Sequence, residues 1–391
     1  MTPGARAQAA IELLDQIILA ARDGGAAADT LIARYFKTRR YAGSKDRRAV
    51  RDLVYAAIRR SGERPVSGRA ALLGVAAGDP AVAALFDGGT HAPDAIAASE
   101  KPAGAGVAPG WLAPQIEAVV GPGGMAALLD RAPLDVRVNR LRADRAGIAI
   151  AGAMPTPHAP DGLRLPEGTD VETLEAWHDG LIEVQDEGSQ LVSLAAGAQP
   201  GMTVIDLCAG GGGKTLALAA MMAGQGRLIA TDTDRGRLSR LAPRAERAGV
   251  SVETQLLDPG REGDALVALI GAADVVLVDA PCSGTGTWRR NPEARWRLTP
   301  KRLEQLVALQ ARLLDLGAEL VMPGGVLVYI VCSLLDAEGA DQAAGFLDRH
   351  PGWRGGAIHP DFGTARGSGR VLTPARDGTD GFFVARLERP C

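Results

Sequence analysis

At 391 residues the chain exceeds what one hydrophobic core organises, roughly 250–300 residues, so two or three folded units are expected. With 46% hydrophobic and 23% charged residues it lies outside the composition of disordered chains, and its net charge of −3 excludes blanket affinity for polyanions. Cys208, Cys282, Cys332 and Cys391 are too scattered for a disulfide framework or a C-x-x-C zinc site, no apolar run reaches the roughly 18 residues of a membrane span, and the first residues carry charge where a secretory leader would be apolar. A cytoplasmic protein with free thiols, no metal and no membrane contact is expected.

In residues 6–22, Ile11, Leu14, Ile17, Ile18 and Ala21 fall at helical spacing, and in 46–60 Val50, Leu53, Val54, Ala57 and Ile58 repeat the pattern. An all-helical domain is predicted over 1–125. Between Arg34 and Arg60 it carries ten basic residues (Arg34, Lys37, Arg39, Arg40, Lys45, Arg47, Arg48, Arg51, Arg59, Arg60) against Asp46 and Asp52, a basic patch in a slightly acidic chain. Residues 87–109 are so rich in Gly, Ala, Pro and Ser that they read as a linker. Short helices are predicted over 111–120 and 125–129 and an extended run over 135–139, giving a small α+β unit at 126–190.

From about residue 197 apolar strands alternate with Gly/Asp-rich turns and helices: 203–206, 227–231, 275–278 and 326–331. This rhythm predicts an α/β domain over 191–391 with a largely parallel, doubly wound sheet, in which ligands bind beyond the carboxyl ends of the strands. The turn DLCAGGGGKT, 206–215, leads from a strand into a helix, and its glycines let backbone approach a ligand closely. A phosphate-cradling loop ending at Gly213, Lys214 and Thr215 would need its first glycine at 208, where this chain has Cys208. The second strand ends at Asp232, where the ribose hydroxyls of a nucleoside need a carboxylate acceptor, and Asp234 reads as a helix cap. Asp258, at the next strand end, reads either as a contact near the adenine or as a turn former before Pro259 and Gly260.

Two further strand ends carry cysteines: DAPCSGTG, 279–286, and Cys332-Ser333. A cysteine set between Pro281 and Ser283-Gly284-Thr285-Gly286 is not at a packing position, whereas Cys332, preceded by Ile330 and Val331, could be one. Together with DVRVNRLR (135–142), QDEGSQ (185–190), DAPCSGTGTWRRNPEARW (279–296), Pro323-Gly324-Gly325 and Gly381-Phe382-Phe383, these segments resemble the RsmB/Nop2/Sun family of RNA 5-methylcytosine methyltransferases over nearly the whole chain. Four positions depart from its pattern. Gly210 and Gly211 stand in place of Ala-Pro, Val331 in place of Thr, Gly339 in place of Asn after Glu338, and Arg295 in place of Lys.

The resemblance implies a class I, Rossmann-like methyltransferase sheet preceded by an all-helical NusB-like domain and a small RRM-like α+β unit. It implies S-adenosyl-L-methionine as cofactor, held by Cys208, Ala209, Gly210, Gly211, Gly212, Gly213, Lys214, Asp232, Asp258 and Asp279. Carbon 5 of cytosine is too poor a nucleophile to take a methyl group unaided, so a thiolate first adds to carbon 6. By resemblance Cys332 is that nucleophile, Cys282 assists product release, Asp279 hydrogen-bonds the cytosine, and Lys214 lies near the base or, as a plain helix-start lysine, in solvent. A base that must leave its stack makes single-stranded or looped RNA the expected partner, small-subunit rRNA first. Trp288 and Trp296, with Arg289, Arg290 and Arg295 between them, are candidates for gripping the strand, with core packing of Trp296 the alternative. The same chemistry on tRNA or another rRNA site, or a non-catalytic RNA-binding assembly factor, are the competing readings. A monomer is expected, and His91, His158, His178, His350 and His359 fall in no motif.

Overall fold

A computed structural model describes residues Met1–Cys391, and its chain divides into two compact units. The smaller comprises Met1–Asp130 together with Thr287–Pro300. Its helices are α1 (Pro3–Asp23), α2 (Ala28–Lys37), α3 (Ser44–Arg60), α4 (Gly68–Ala76) and α5 (Pro80–Ala83). The helical spacing read in the sequence is the packed face: Leu14, Ile17, Val50, Val54, Ala57 and Ile58 are all fully buried, with Leu13 and Leu72 among them. Residues 87–109 form neither helix nor strand, as their composition predicts, yet they are tied down. Ala103 N donates to Ala70 O at 2.8 Å, Gly106 N to Arg60 O at 2.9 Å, and the Arg60 guanidinium to Ala103 O at 2.7 Å.

Helix ends leave unpaired N–H and C=O groups that something must satisfy. Thr2 and Ser67 cap α1 and α4 with their own hydroxyls, but α2 begins at Ala27, which has none. Distant residues supply the missing caps. Glu293 accepts from Ala28 N at 3.0 Å, and Arg297 donates to Gly25 O and Ala26 O beyond the end of α1 at 2.8 and 2.7 Å. Arg295, fully buried, donates from Nη2 to Ile58 O, Arg59 O and Ser61 O where α3 ends, and Trp296 Nε1 donates to Ser61 O at 2.9 Å. A guanidinium fork at a helix C-terminus satisfies several carbonyls and meets the negative end of the helix dipole.

The larger unit comprises Arg131–Gly286 and Lys301–Cys391 and holds two sheets. The first is antiparallel, in the order β2 (Met154–Pro155), β3 (Gly162–Leu165), β1 (Leu134–Val138), β4 (Ile182–Val184). Here the segments 135–142 and 185–190 prove to be structural. Arg164 forks onto Asp135 at 2.8 and 3.1 Å, the buried Arg137 donates to Gln185 Oε1 at 2.7 Å, and Gln190 donates to the carbonyls of Val136 and Gln185.

The second sheet contains β5 (Thr203–Asp206), β6 (Arg227–Asp232), β7 (Glu253–Leu256), β8 (Ala273–Asp279), β9 (Val321–Val331), β10 (Arg354–Gly355), β11 (Thr364–Arg366), β12 (Gly369–Leu372) and β13 (Phe382–Glu388). Its order is β11-β12-β13-β9-β8-β5-β6-β7, with β10 on β13. Strands β5 to β9 are parallel to their neighbours and β13 returns antiparallel beside β9. This is the expected Rossmann-like, doubly wound sheet, and its order reverses between β5 and β8, where such sheets place their ligands. No helix is long and apolar enough to cross a membrane.

Replacing Arg295 with Ala removes one donor from the carbonyls of Ile58, Arg59 and Ser61, of which Ile58 O keeps Ser61 N and Ser61 O keeps Trp296 Nε1, at roughly 0.5–1.5 kcal/mol for each hydrogen bond lost. The variant is expected to unfold its helical unit several degrees below the wild type in a thermal melt followed by circular dichroism. Arg295→Lys, which cannot present a fork, should recover only part of the loss, and an unchanged melt would show that the caps are dispensable.

Candidate active site

Three neighbouring strands end together at the switch point. After Asp206 the chain makes the glycine turn, anchored by Leu207 N to Leu277 O at 2.9 Å and Ala209 N to Thr231 O at 2.8 Å, and enters the helix Gly213–Met221. Gly210 and Gly212 adopt φ of +54° and +86°, and a side chain on Gly212 would begin 2.1 Å from Leu241 Cδ1. Asp232, at the tip of β6, accepts from Gly210 N and Asp234 N, each at 2.7 Å, so one carboxylate joins the turn to the neighbouring strand. Asp234 caps the next helix, accepting from Arg237 N at 3.0 Å. Asp258 is exposed in a turn closed by its carbonyl accepting from Arg261 N, with Gly260 at φ +81°, the geometry of a turn former. Cys208 lies within the turn and is partly buried; burial, with the Asp206, Asp279 and Asp232 charges adding to it, pushes its thiol well up.

The loops after β8 and β9 bring the two thiols together. Cys282 Sγ and Cys332 Sγ are 3.4 Å apart, both only partly buried. The hydrogen bond to Cys332 and then burial push the Cys282 thiol well above its ordinary value, and either sulfur can be the donor of the contact. Val331, preceding Cys332, is fully buried in the cluster of Ile205, Val278 and Phe383, and Cys332 packs at the edge of the cluster around Ile330 and Val384. Alternation along β9 therefore turns residue 331 away from the thiol beside it.

Lys214 Nζ donates to Asp279 Oδ2 at 2.7 Å, joining the start of the helix to the end of β8. Burial alone would lower the Lys214 pKa, but the Asp279 charge and hydrogen bond outweigh it, with the Cys332 sulfur adding to the effect, and the ammonium is held charged. Deeper in, Thr215 Oγ1 donates to Asp206 Oδ2 at 2.6 Å, while Asp206 Oδ1 is buried without a hydrogen-bond partner. Burial, then the neighbouring Asp279 and Asp232 charges, push the Asp206 carboxyl up to about 7 against the Thr215 hydrogen bond.

The structure thus gathers Cys282, Cys332, Asp279 and Lys214 at one strand-end cluster and Asp232 with Cys208–Gly213 beside it. It does not bring the tryptophans into it as strand grips. Trp288 and Trp296 are 0% and 2% exposed, and Trp296 belongs to the core of the helical unit, so neither ring has a free face for a base. Arg295 is equally committed to the end of α3. Sequence pattern gave no role to a group that sits against both cysteine loops, the buried carboxylate of Glu338, which entered only as the residue before the Gly339 departure, six residues after Cys332.

A family model described as 16S rRNA methyltransferase RsmB/F matches residues 194–388. The chain is 37% identical over 272 residues to a probable ribosomal RNA small subunit methyltransferase B of Synechocystis, covering 66% of this chain and 60% of that protein. It is 33% identical over 293 residues to ribosomal RNA small subunit methyltransferase B of Salmonella paratyphi C, covering 71% and 66%. This chain belongs to the RsmB/Nop2/Sun family. The alignments span about 60–66% of the length of these relatives. The solved structure of PH0851 superposes with a TM-score of 0.79 at 25% identity, covering 100% of this chain and 99% of that one. The nine-stranded sheet is accordingly a class I methyltransferase sheet.

Asp206 gives the family site a pH signature. A carboxyl whose folded pKa is raised holds its proton in the native state while the unfolded chain releases it above about 4, so its contribution to stability is complete below that value and is lost as pH rises through about 7. The wild type should lose up to about 1.4 kcal/mol per pH unit from this group across that window. Asp206→Asn should flatten that part of a melting-temperature profile, and identical slopes in the two proteins would contradict the assignment.

Proposed function

We propose that this chain transfers a methyl group from S-adenosylmethionine to carbon 5 of a cytosine in small-subunit rRNA through a covalent adduct with Cys332. The observation that carries this reading is the thiol pair at 3.4 Å, set on the ends of two adjacent parallel strands beside the Lys214–Asp279 pair. Membership of a family described as 16S rRNA methyltransferases supports the substrate class.

The donor set fits the cofactor. Asp232 has acceptor capacity beyond its two backbone amides for a ribose diol, and the turn Cys208–Gly213 offers backbone where side chains are excluded. When bound, S-adenosylmethionine supplies an electrophilic methyl group on its sulfonium. Lys214, Asp279 and Cys208–Gly213 would line the path between it and the base.

Cys332 as thiolate adds to carbon 6, forming a C–S bond and moving the electron pair of the 5,6 double bond onto carbon 5, which takes the methyl group. Asp279, held by Lys214, accepts hydrogen bonds from the exocyclic amine of cytosine and selects it against uracil. A water molecule takes the carbon 5 proton, the C–H electron pair restores the 5,6 double bond, and the C–S bond breaks so that Cys332 leaves as thiolate. Cys282, already protonated and in contact with Cys332, donates to that departing sulfur. In the helical unit Arg34, Lys37, Arg40, Lys45 and Arg48 are exposed, a surface suited to phosphates rather than base edges.

The two thiols separate in one experiment. Cys332→Ala should abolish methylation without retaining RNA, because no adduct forms, whereas Cys282→Ala should methylate and stall, leaving a nuclease-sensitive, slowly migrating complex on a denaturing gel. Trapping by Cys332→Ala instead would reverse the roles, and full activity in both variants would end the adduct reading. For the basic surface, the quadruple variant Lys37→Glu, Arg40→Glu, Lys45→Glu and Arg48→Glu should bind RNA more weakly and lower the slope of log K against log salt by about 0.7 for each phosphate no longer neutralised. An unaltered slope would show that this face is only solvated.

A further inference from the structure

Glu338 is fully buried, with no cation paired to it. Four donors satisfy its carboxylate. Oε1 accepts from Ser283 N at 2.8 Å and from Gln310 Nε2 at 3.0 Å, and Oε2 accepts from Ser333 Oγ at 2.6 Å and from Ser283 Oγ. Ser283 and Ser333 are the residues that directly follow Cys282 and Cys332. Gln310 Nε2 also donates to Pro281 O, the residue before Cys282, at 2.9 Å, so the same knot grips that loop on both sides of its thiol.

Glu338 is itself immobilised. Tyr329 OH donates to its carbonyl at 2.6 Å, and at the following Gly339 a side chain would start 2.9 Å from the Phe383 ring, so the backbone is pressed against an aromatic wall. Thr285 completes the tie between the loops: its hydroxyl lies 3.1 Å from Ser333 Oγ and accepts from Leu334 N at 2.8 Å, while Gly286 N donates to Cys332 O at 3.0 Å.

Burying a carboxylate with no counter-ion is costly, and apolar residues of the same volume would serve stability as well or better. Its value lies in what it joins. We propose that Glu338 is the positioning residue of the thiol pair: its carboxylate pins the loops after Cys282 and Cys332 so that the two sulfurs stay in contact. It acts through Ser283 and Ser333 and touches neither the sulfurs nor any substrate. Its charge also adds to the interactions that keep Cys282 protonated. The kinetic half of this inference rests on the methyl-transfer reading; the sulfur geometry does not.

The test therefore has two arms. Dibromobimane, a probe that becomes fluorescent only when two neighbouring thiols are bridged, reads the pair in the full-length protein without RNA or cofactor, with the bridged peptides identified by mass spectrometry. Glu338→Gln should bridge Cys282 to Cys332 at least tenfold more slowly than wild type, and its kcat for RNA methylation should fall by about 100-fold, the scale of a misplacement near 1 Å, with KM for RNA and for S-adenosylmethionine unchanged. If Glu338→Gln does not fold, the double variant Ser283→Ala with Ser333→Ala keeps the carboxylate and removes its hydroxyl donors, and should show the same slowed bridging. Wild-type bridging in either folded variant would overturn the proposal. A wild-type protein that bridges its thiols but methylates no RNA would overturn the methyl-transfer reading and leave the bridging comparison valid.

Discussion

The parallel register of β8 on β9 pairs Val278 with Tyr329 and Asp279 with Ile330, so both strands finish at one level. Cys282 follows three residues after Asp279 and Cys332 two after Ile330, which leaves each loop only a few ångströms of freedom before its sulfur. On the other side of β8, Asp206 pairs with Leu277, and the glycine turn therefore opens beside the same edge. One hydrogen-bond ladder thus decides where the Lys214–Asp279 pair, the turn and both thiols stand. A slip by one residue would turn every one of these side chains to the other face.

Fixed strand ends do not fix loops, and the structure spends buried polarity to do so. Glu338 orders the cysteine loops, as Asp232 orders the glycine turn against β6. The departures from the family pattern sit comfortably in this arrangement. Val331 fills a fully buried position in the cluster that also holds Ile205 and Phe383, which suits an apolar side chain. Gly339 is matched by the Phe383 ring, which occupies the space a side chain would need.

Periodicity and turn chemistry made much of this legible in the sequence. The strands ending at Asp206, Asp232, Asp279 and Val331 follow from apolar runs stopped by turn residues, and the helical face of α1 and α3 from residues three and four apart. What stayed hidden depends on partners far away in the chain. Arg295 and Trp296 look like an RNA grip because they are basic and aromatic in a loop, yet their partners are carbonyls at Ile58, Arg59 and Ser61, more than 230 residues earlier. Glu338 carries no motif of its own because its role is defined by the donors that surround it. The antiparallel strands β11 to β13 have partners chosen by sheet order, which local pattern does not contain.

The central claim is that this arrangement of thiols methylates carbon 5 of a cytosine in small-subunit rRNA. Bisulfite sequencing of rRNA and tRNA from a strain lacking the gene, compared with its parent and with a strain complemented by Cys332→Ala, reads that directly. The account predicts one protected cytosine in small-subunit rRNA that loses protection on deletion and does not regain it with Cys332→Ala. Unchanged protection of every rRNA cytosine on deletion, or restoration by Cys332→Ala, would contradict it.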